Sequence, residues 1–295
     1  MRAMRIGYPC INYTINGTMR TFRIRNYSIS RHREIIAENL INLQRILEFN
    51  RAHQIQFFRI SSQIIPFASH AICQINWQKE FKNELDNIGI MIKQNNVRIS
   101  MHPDQFIVLN SPQQLILNRS IAELIYHAEF LGSLGLNQQA KIQIHVGGVY
   151  QSKDDSIQRF CENYQKLPTV VKKCLVIEND DHLYSVQDCY RIYGLIKIPI
   201  IFDNLHHQCF NNGESVSQAL ALCLSTWKKE DGKPMVDYSE QQRGGRLGKH
   251  AEHLNQNQFM EFLLETKGLD YDLMLEIKDK EKSVFEAQES INNFV

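Results

Sequence analysis

The chain has 295 residues and a formal net charge of +1, with 33 lysines and arginines against 32 aspartates and glutamates. This near balance of charge excludes a highly basic protein that coats DNA. Hydrophobic residues make up 43% of the chain and charged residues 22%, which is typical of globular proteins and excludes disordered and collagen-like chains. The sequence carries no apolar run of membrane-spanning length and no signal-peptide pattern, so we expect a soluble cytoplasmic protein.

Chain length and cysteine content indicate one domain in a reducing compartment. The seven cysteines include no C-x-x-C pair and are odd in number, so we expect free thiols. An α/β barrel often occupies more than about 200 residues as one domain. We therefore expect residues 1–295 to form a single domain.

Short apolar or β-branched runs alternate with longer amphipathic stretches along the whole chain. The runs predict strands at residues 4–7, 55–60, 97–101, 141–146, 173–177, 199–202, 234–238 and 272–276. The amphipathic stretches predict helices at residues 32–50, 77–93, 115–134, 154–165, 186–194, 215–228, 255–266 and 281–292. Eight such strand–helix units predict parallel pairing through right-handed crossovers. The expected fold is an α/β protein, a single (β/α)8 barrel of the TIM type with its site at the carboxyl ends of the strands.

Histidines and carboxylates follow the predicted strands repeatedly, where the barrel would direct them into one site. They are His102, His145, Glu178, Asp203, His206, Asp237, His250 and Glu276. A lone histidine after a strand is more often a hydrogen-bonded rim residue, but six successive strand ends argue against coincidence. Buried carboxylates without a partner are also costly.

Imidazole and carboxylate groups are the donors that Zn²⁺, Mn²⁺ and Fe²⁺ use, and the cysteines of a structural zinc site do not fall at these positions. The pattern therefore predicts a catalytic metal cluster. Glu178 or Glu276 is a candidate bridge between two ions about 3.5 to 4 Å apart.

Other residues near strand ends are candidates for contacts with a phosphate-bearing substrate. Donors that can bind phosphate oxygens are Tyr8, Asn12, Arg59, Ser61, Ser62 and His70. For Arg59, a salt bridge or cap inside the barrel is an equally good interpretation. The pair Gln105 and Phe106 can hydrogen-bond to and stack on exposed bases, although a phenylalanine near a strand end is more often part of the core.

Two further segments are candidates for the surroundings of the site. Arginines cluster early in the chain, at Arg20, Arg23, Arg25, Arg31 and Arg33; they form either a solvated face or a rim that grips a nucleic-acid backbone. The irregular segment 232–253 contains Gly244, Gly245 and Gly248, and we expect it to form a functional loop over the barrel mouth.

Seven short motifs occur together and in order between residues 4 and 285. They are GYPCIN at 7–12, RISS at 59–62 with His70, HPDQF at 102–106, HVGG at 145–148, END at 178–180, FD at 202–203 with His206 and His207, and MLEIK at 274–278. In this combination the sequence resembles the UV damage endonuclease family. The ordered agreement is far more specific than any single motif.

The resemblance implies a TIM-type barrel related to type IV apurinic endonucleases and xylose isomerase-like enzymes. It implies up to three divalent metal ions, typically Mn²⁺, with Zn²⁺, Co²⁺ or Mg²⁺ as alternatives. The family nicks duplex DNA directly 5′ to cyclobutane pyrimidine dimers and (6-4) photoproducts, and more weakly at abasic sites, leaving a 3′-hydroxyl and a 5′-phosphate.

Carried over residue by residue, the resemblance assigns roles to individual side chains. The metal ligands would be His102, His145, Glu178, Asp203, His206, His250 and Glu276. Gln105 and Phe106 would be a wedge pushed into the duplex opposite the lesion, and Tyr8 and Asn12 would contact the lesion. His70 would lie near the scissile phosphate, and with Glu178 and Glu276 it forms the expected catalytic group.

The sequence departs from the family pattern at two places. The wedge is usually Gln-Tyr, whereas Gln105–Phe106 keeps the ring and loses its hydroxyl. After the seventh strand many members read Pro-Lys-x-His, with a carboxyl-modified lysine, whereas this chain reads PMVD at residues 234–237. Met235 cannot carry that modification, and Asp237 replaces an imidazole ligand by a carboxylate, which bears on metal preference.

The leading hypothesis is therefore a metal-dependent DNA repair endonuclease. Its partner would be double-stranded DNA with UV lesions, and we expect no association with a membrane. We also expect a monomer that associates with the nucleoid when it is bound to DNA. A metal-dependent sugar isomerase or epimerase on the same barrel is one alternative. A module that binds damaged DNA without cutting it is another.

Overall fold

The structure is a computed structural model that describes residues 4–294. Its strands are β1 Ile6–Pro9, β2 Phe57–Ile60, β3 Arg98–Met101, β4 Lys141–His145, β5 Leu175–Glu178, β6 Ile200–Asp203, β7 Met235–Tyr238 and β8 Asp272–Leu275. Each strand pairs in parallel with the next in the chain, and β8 pairs with β1 to close the barrel. The predicted eight-stranded TIM barrel is confirmed.

Helices surround the barrel and return the chain from the end of one strand to the start of the next. They are α1 Ile29–Ala52, α2 Trp77–Glu80, α3 Lys82–Gln94, α4 Gln114–Ser133, α5 Lys153–Gln165, α6 Thr169–Cys174, α7 Val186–Ile196, α8 Asn204–Cys209, α9 Val216–Leu224, α10 Gln256–Glu265 and α11 Glu281–Phe294. Apolar side chains between this layer and the strands form the main core. Within residues 4–294, no helix is both long and apolar enough to span a lipid bilayer.

The inside of the barrel changes from apolar to polar along the strands. A separate buried cluster fills its middle, made of Phe57, Val176, Ile201, Met235 and Met274. Side chains alternate between the two faces of a strand, so the residue two positions further on faces inward again. Those residues are Arg59, Glu178, Asp203, Asp237 and Glu276. The apolar cluster is therefore the floor on which the polar site rests.

The amino-terminal end of the barrel is closed by ion pairs. Arg98 lies 3.0 Å from the Asp272 carboxylate, which also pairs with Arg5 at 3.1 Å. Lys141 lies 2.6 Å from Asp231. Each of these buried charges thus has a partner of opposite charge. All of them lie at the amino-terminal ends of the strands, opposite the mouth.

Several element boundaries differ from the sequence-based predictions. The first strand lies two residues later than expected, at Ile6–Pro9, and the predicted strand at 173–177 begins only at Leu175, because α6 continues to Cys174. The expected helix at 77–93 is divided at Phe81. Segment 232–253 contains β7, so the irregular loop itself follows Tyr238.

Candidate active site

Glu178, at the end of β5, is the centre of the site. Its Oε2 lies 3.3 Å from Nε2 of His102 and 3.9 Å from Nε2 of His145, and its Oε1 lies 3.1 Å from Nδ1 of His206. Burial alone would raise the pKa of Glu178, but these imidazoles lower it well below its usual value. Residues from four different strand ends thus meet at one buried carboxylate.

Three further carboxylates converge beside Glu178. Ligand oxygens of Asp203, Asp237 and Glu276 all lie within 4.8 Å of one another. Burial raises the pKa of Asp203 to about 6. Among the described residues, its Oδ2 is buried and has no hydrogen-bond partner. Crowded carboxylates with an unused buried oxygen are the donor set that a divalent cation would satisfy.

The short helix α8 follows directly from β6 and aligns two of these side chains. Asp203 is its N-cap, and its Oδ1 accepts a hydrogen bond from the backbone N–H of His206 at 2.7 Å. Although burial alone would lower the pKa of His206, the carboxylates of Asp203 and Glu178 raise it well above its usual value. The spacing of three residues between Asp203 and His206 therefore reflects a helix cap.

Three histidine rings are held through Nδ1. That nitrogen donates to a backbone carbonyl in His102 (to Pro103, 2.8 Å), in His206 (to Asn179, 3.0 Å) and in His250 (to Glu276, 2.7 Å). Each hydrogen bond fixes the orientation of its ring. In His102 it leaves Nε2 facing Glu178 at 3.3 Å, whereas in His206 Nδ1 itself faces Glu178 at 3.1 Å.

The predicted ligands divide into overlapping groups. Glu178 is shared by the group with His102 and His145 and the group with Asp203 and His206. Asp203 is shared with the group that contains Asp237 and Glu276, so the candidate bridges are Glu178 and Asp203, where the sequence pointed to Glu178 or Glu276. Seven of the eight predicted ligands belong to these groups. His250 lies at the edge, with Nδ1 3.8 Å from a Glu276 oxygen.

Arg59 lies inside the barrel among the carboxylates. Its Nη2 is 2.8 and 2.9 Å from the two oxygens of Asp237, and its Nη1 donates to Glu276. Burial alone would raise the pKa of Glu276, but Arg59 outweighs it and the pKa falls to about 2. Arg59 is only 2% exposed, so the structure shows the salt bridge that the sequence analysis gave as the equal alternative, and a contact with DNA stays a prediction.

The sequence analysis overlooked Gln143, which contacts both sides of the site. Its Nε2 donates to Glu178 and to Asp237, and its Oε1 accepts from Arg59 at 2.8 Å. The sequence pattern could have identified Gln143, because it precedes His145 by two residues and so faces the inside of the barrel from the same strand. Gln143 links the imidazole and carboxylate halves of the cluster.

Tyr8 and Asn12 do not reach the site. Both side chains are fully buried, and the Tyr8 hydroxyl accepts from Asn12 and donates to Asn50 of α1, each at 2.7 Å. Burial raises the pKa of Tyr8 well above its usual value. In this arrangement both side chains bind other parts of the protein, and their contact with a lesion stays a prediction.

Ser62 and His70, which follow β2, do not belong to the groups of candidate ligands. His70 is exposed, and its Nδ1 accepts from the backbone N–H of Ile72 at 3.0 Å. Ser62 is not available for phosphate: its hydroxyl lies 2.8 Å from the carbonyl oxygen of His102 and 3.1 Å from Nε2 of the buried His127. Through Ser62, the buried His127 thus contacts the backbone of a candidate ligand.

The cluster opens into a wide mouth at the carboxyl ends of the strands. A cavity of about 360 Å³ reaches Glu178 and is bordered by Gln105, and a wider one of about 560 Å³ adjoins it. Phe106, next to Gln105, is 68% exposed. The predicted wedge pair therefore lies on the rim of the mouth. Of the early arginines, Arg20 and Arg33 form exposed ion pairs with Glu38 and Glu80.

Comparison with known proteins connects this site to a family. The family model described as UV-endonuclease UvdE matches residues 4–295. A protein named UV DNA damage endonuclease from Clostridium perfringens (strain 13 / Type A) is 42% identical over 291 residues, covering 98% of this chain and 71% of that protein. One of the same name from Bacillus cereus (strain B4264) is 34% identical over 260 residues, covering 88% and 82%.

Solved structures agree at two levels of similarity. The crystal structure of SacUVDE superposes with a TM-score of 0.95 at 45% identity and covers 99% of both chains. Endonuclease IV from Thermus thermophilus gives a TM-score of 0.56 at 14% identity over 85% of this chain and 94% of that chain. D-psicose 3-epimerase from Clostridium cellulolyticum H10 gives a TM-score of 0.57 at 12% identity, over 84% of this chain and 90% of that chain. The last two share the barrel fold alone. The chain belongs to the UV-endonuclease UvdE family and is an endonuclease for UV-damaged DNA.

Proposed function

We propose that the protein is a metal-dependent repair endonuclease that nicks duplex DNA immediately 5′ to UV photoproducts. The substrates are cyclobutane pyrimidine dimers and (6-4) photoproducts, with abasic sites as a further substrate, and the products are a 3′-hydroxyl and a 5′-phosphate. It would act as a monomer in the cytoplasm, on the nucleoid. Family membership supports the substrate class, and the chemistry of the mouth supports the reaction.

The observation that carries this proposal is the convergence of four carboxylates at the barrel mouth, three of them fully buried. Glu178, Asp203, Asp237 and Glu276 lie within two overlapping groups, and Arg59 is the cation paired with them. Even with the imidazolium of His206, whose pKa these carboxylates raise, two cations cannot balance four carboxylates in such a site. The excess negative charge and the unpartnered Oδ2 of Asp203 suit divalent cations.

The residues present fit up to three metal ions. His102, His145 and Glu178 would hold one, Glu178, Asp203 and His206 a second, and Asp203, Asp237 and Glu276 a third. Because the last group offers only oxygen donors, Mn²⁺ is favoured over softer ions such as Zn²⁺ or Co²⁺. Bound metal ions would supply Lewis-acid stabilisation of phosphate charge and a water with a pKa near neutral.

The chain's own residues organise this chemistry. Gln143 and Arg59 hold Glu178, Asp237 and Glu276 in fixed orientations through their hydrogen bonds. Backbone carbonyls fix the rings of His102 and His206 beside Glu178. Positions fixed before substrate binds cost no reorganisation when charge develops on the phosphate.

Recognition of the lesion is assigned to the rim. A dimer pairs and stacks poorly, so unstacking and bending the duplex cost less free energy there than in intact DNA. The exposed ring of Phe106 and the neighbouring amide of Gln105 would fill the space that the displaced bases leave.

A nicking assay tests the proposal against its alternatives. Supercoiled plasmid, irradiated or untreated, is incubated with protein that has been loaded with Mn²⁺, with and without chelator. We expect nicking of the irradiated plasmid alone, abolished by chelator and by Glu276→Gln. Retention of damaged plasmid without nicking would instead indicate a binding module, and interconversion of sugars with no effect on either plasmid would indicate an isomerase.

A further inference from the structure

We propose that residues 241–249, the loop after β7, form a second DNA-contacting element that inserts Leu247 into the duplex and binds phosphates through Arg246 and Lys249. This inference rests on the proposed function, because it takes damaged duplex DNA as the occupant of the mouth. It adds a wedge on a different strand-end loop from the one that carries Gln105 and Phe106.

The loop is closed by its own hydrogen bonds. The Gln241 side chain donates to the carbonyl of Arg246 and accepts from the N–H of Gly248, both at 2.8 Å. The N–H of Gln242 donates to the carbonyl of Lys249 at 2.7 Å. A loop tied across its base in this way presents its tip in a defined conformation, which reduces the entropic cost of binding.

Glycine is favoured where the loop meets the β5 side of the mouth. Gly248 has a φ of 76°, and a Cβ there would lie 2.4 Å from an Asp181 oxygen. The backbone conformation therefore favours glycine, and any side chain at this position would have to displace the Asp181 carboxylate. Leu247 lies between this glycine and Arg246, both of which border the cavity.

Leu247 is 67% exposed. A single exposed leucine is ordinary on a protein surface, but this one lies between residues that border the active-site mouth. Arg246 and Gly248 line the same cavity as Gln105 and Glu178. Phe106, on the loop after β3, is 68% exposed. Two loops at the same mouth thus each carry a large exposed apolar side chain. Leucine and phenylalanine are the kinds of side chain that proteins insert between base steps.

The charges around Leu247 fit a nucleic-acid backbone. The loop contains Arg243, Arg246 and Lys249 and no acidic residue. None of these three cations forms an ion pair within residues 4–294. Lys249 and Lys280 line the wider part of the mouth. Unpaired cations on both sides of an exposed apolar tip match a duplex whose phosphates flank an opened base step.

The test separates the wedge from the phosphate contacts. Manganese-loaded protein is titrated with a duplex that carries one cyclobutane dimer, an uncleavable linkage on its 5′ side and 2-aminopurine opposite the lesion, and with the same duplex undamaged. Leu247→Ala should weaken binding to the damaged duplex about tenfold and reduce the rise in 2-aminopurine fluorescence at saturation, while binding to undamaged duplex is unchanged. Leu247→Met should retain both signals.

Matched variants provide the controls. Leu195→Ala removes a leucine of similar exposure, 60%, from α7 on the outside of the barrel and should change nothing. Arg246→Gln and Lys249→Gln should weaken binding to both duplexes and each lower the salt dependence of binding by about one ion.

Equal affinities of Leu247→Ala and wild type for the damaged duplex would overturn the wedge, as would an equal loss on both duplexes. If the wild-type protein itself fails to prefer the damaged duplex, the proposed function fails, and that outcome is distinct from failure of the loop alone.

Discussion

Asp237 is both the ion-pair partner of Arg59 and a candidate metal ligand. Both of its oxygens contact Arg59, and the same carboxylate belongs to a group of three that would hold a metal ion. Burial raises its pKa well above the usual value, although Arg59 opposes this. A bound cation would favour the ionised form that both partners need.

We predict that Asp237→Ala loses at least one equivalent of bound metal and more than about 100-fold in incision rate. Removing a residue that only orients a metal ligand typically costs about 10 to 100-fold, so a larger loss indicates that Asp237 is itself a ligand. Asp237→His should keep a metal and shift the preference toward Zn²⁺ or Co²⁺. Elemental analysis of both variants measures this. Full metal content in Asp237→Ala, with reduced stability only, would leave Asp237 as the counter-ion of Arg59.

His127 gives a pH-dependent contribution to stability. Burial lowers its pKa to about 4, so between that value and the unfolded value of about 6.5 the unfolded chain binds the extra proton. Burial of neutral His127 therefore does not lower the free energy of unfolding above about pH 6.5. As the pH falls from 6.5 toward 4, the free energy of unfolding decreases, because the unfolded chain takes up a proton that the folded chain does not. Wild type should lose about 2 kcal/mol more than His127→Gln between pH 7 and pH 5. Urea unfolding of both proteins at the two pH values measures the difference, and identical pH dependence would contradict the assignment.

At the scale of elements, β1 is limited by its close approach to β2. A Cβ on Gly7 would lie 1.8 Å from the carbonyl oxygen of Phe57. Gly7→Ala should therefore separate the two strands and lower the free energy of unfolding by about 3 kcal/mol. Gly194→Ala is the matched control, because nothing lies within 4 Å of its Cβ position in α7. That change should stabilise the protein by about 0.5 to 1 kcal/mol, and similar effects of the two substitutions in chemical denaturation would refute the argument.

The loop after β3 joins a candidate ligand to the wedge. His102 is held by its own backbone, while Gln105 and Phe106 extend to the rim. Changing both wedge residues to alanine should weaken binding to dimer-containing duplex much more than to undamaged duplex, by about 1 to 3 kcal/mol for each lost stacking contact. Phe106→Tyr should be nearly neutral. Fluorescence titrations with the two duplexes decide this, and an equal loss on both would mean that the pair only supports packing.

The boundary of the first strand decides where Tyr8 lies. A strand that ends at residue 7, as the sequence predicts, leaves Tyr8 in a loop at the mouth. The observed strand continues to Pro9, so Tyr8 lies within β1 and its hydroxyl donates to Asn50 of α1. The exact end of a short strand depends on its pairing with neighbouring strands, which the sequence pattern alone does not give.

At the scale of the whole molecule, barrel closure brings distant residues together. His102 and Glu276 are separated by most of the chain, yet both border one mouth. Their convergence was predictable, since the alternation of strands and helices predicts the barrel and the barrel aligns all strand ends. The pairing of Arg59 with Asp237 and Glu276 was not, because which inward-facing charges meet depends on the register and stagger of the strands.

We propose that the cluster at the mouth directs metal-dependent incision at the 5′ side of a photoproduct. The most direct measurement uses a duplex with one cyclobutane dimer, labelled at either end of the damaged strand, and manganese-loaded protein, with the products resolved to single nucleotides. We predict one cut immediately 5′ to the dimer, a 3′ end that a polymerase extends, and no cut after chelation. A cut elsewhere, a 3′ end blocked by phosphate, or incision that survives chelation would contradict the account.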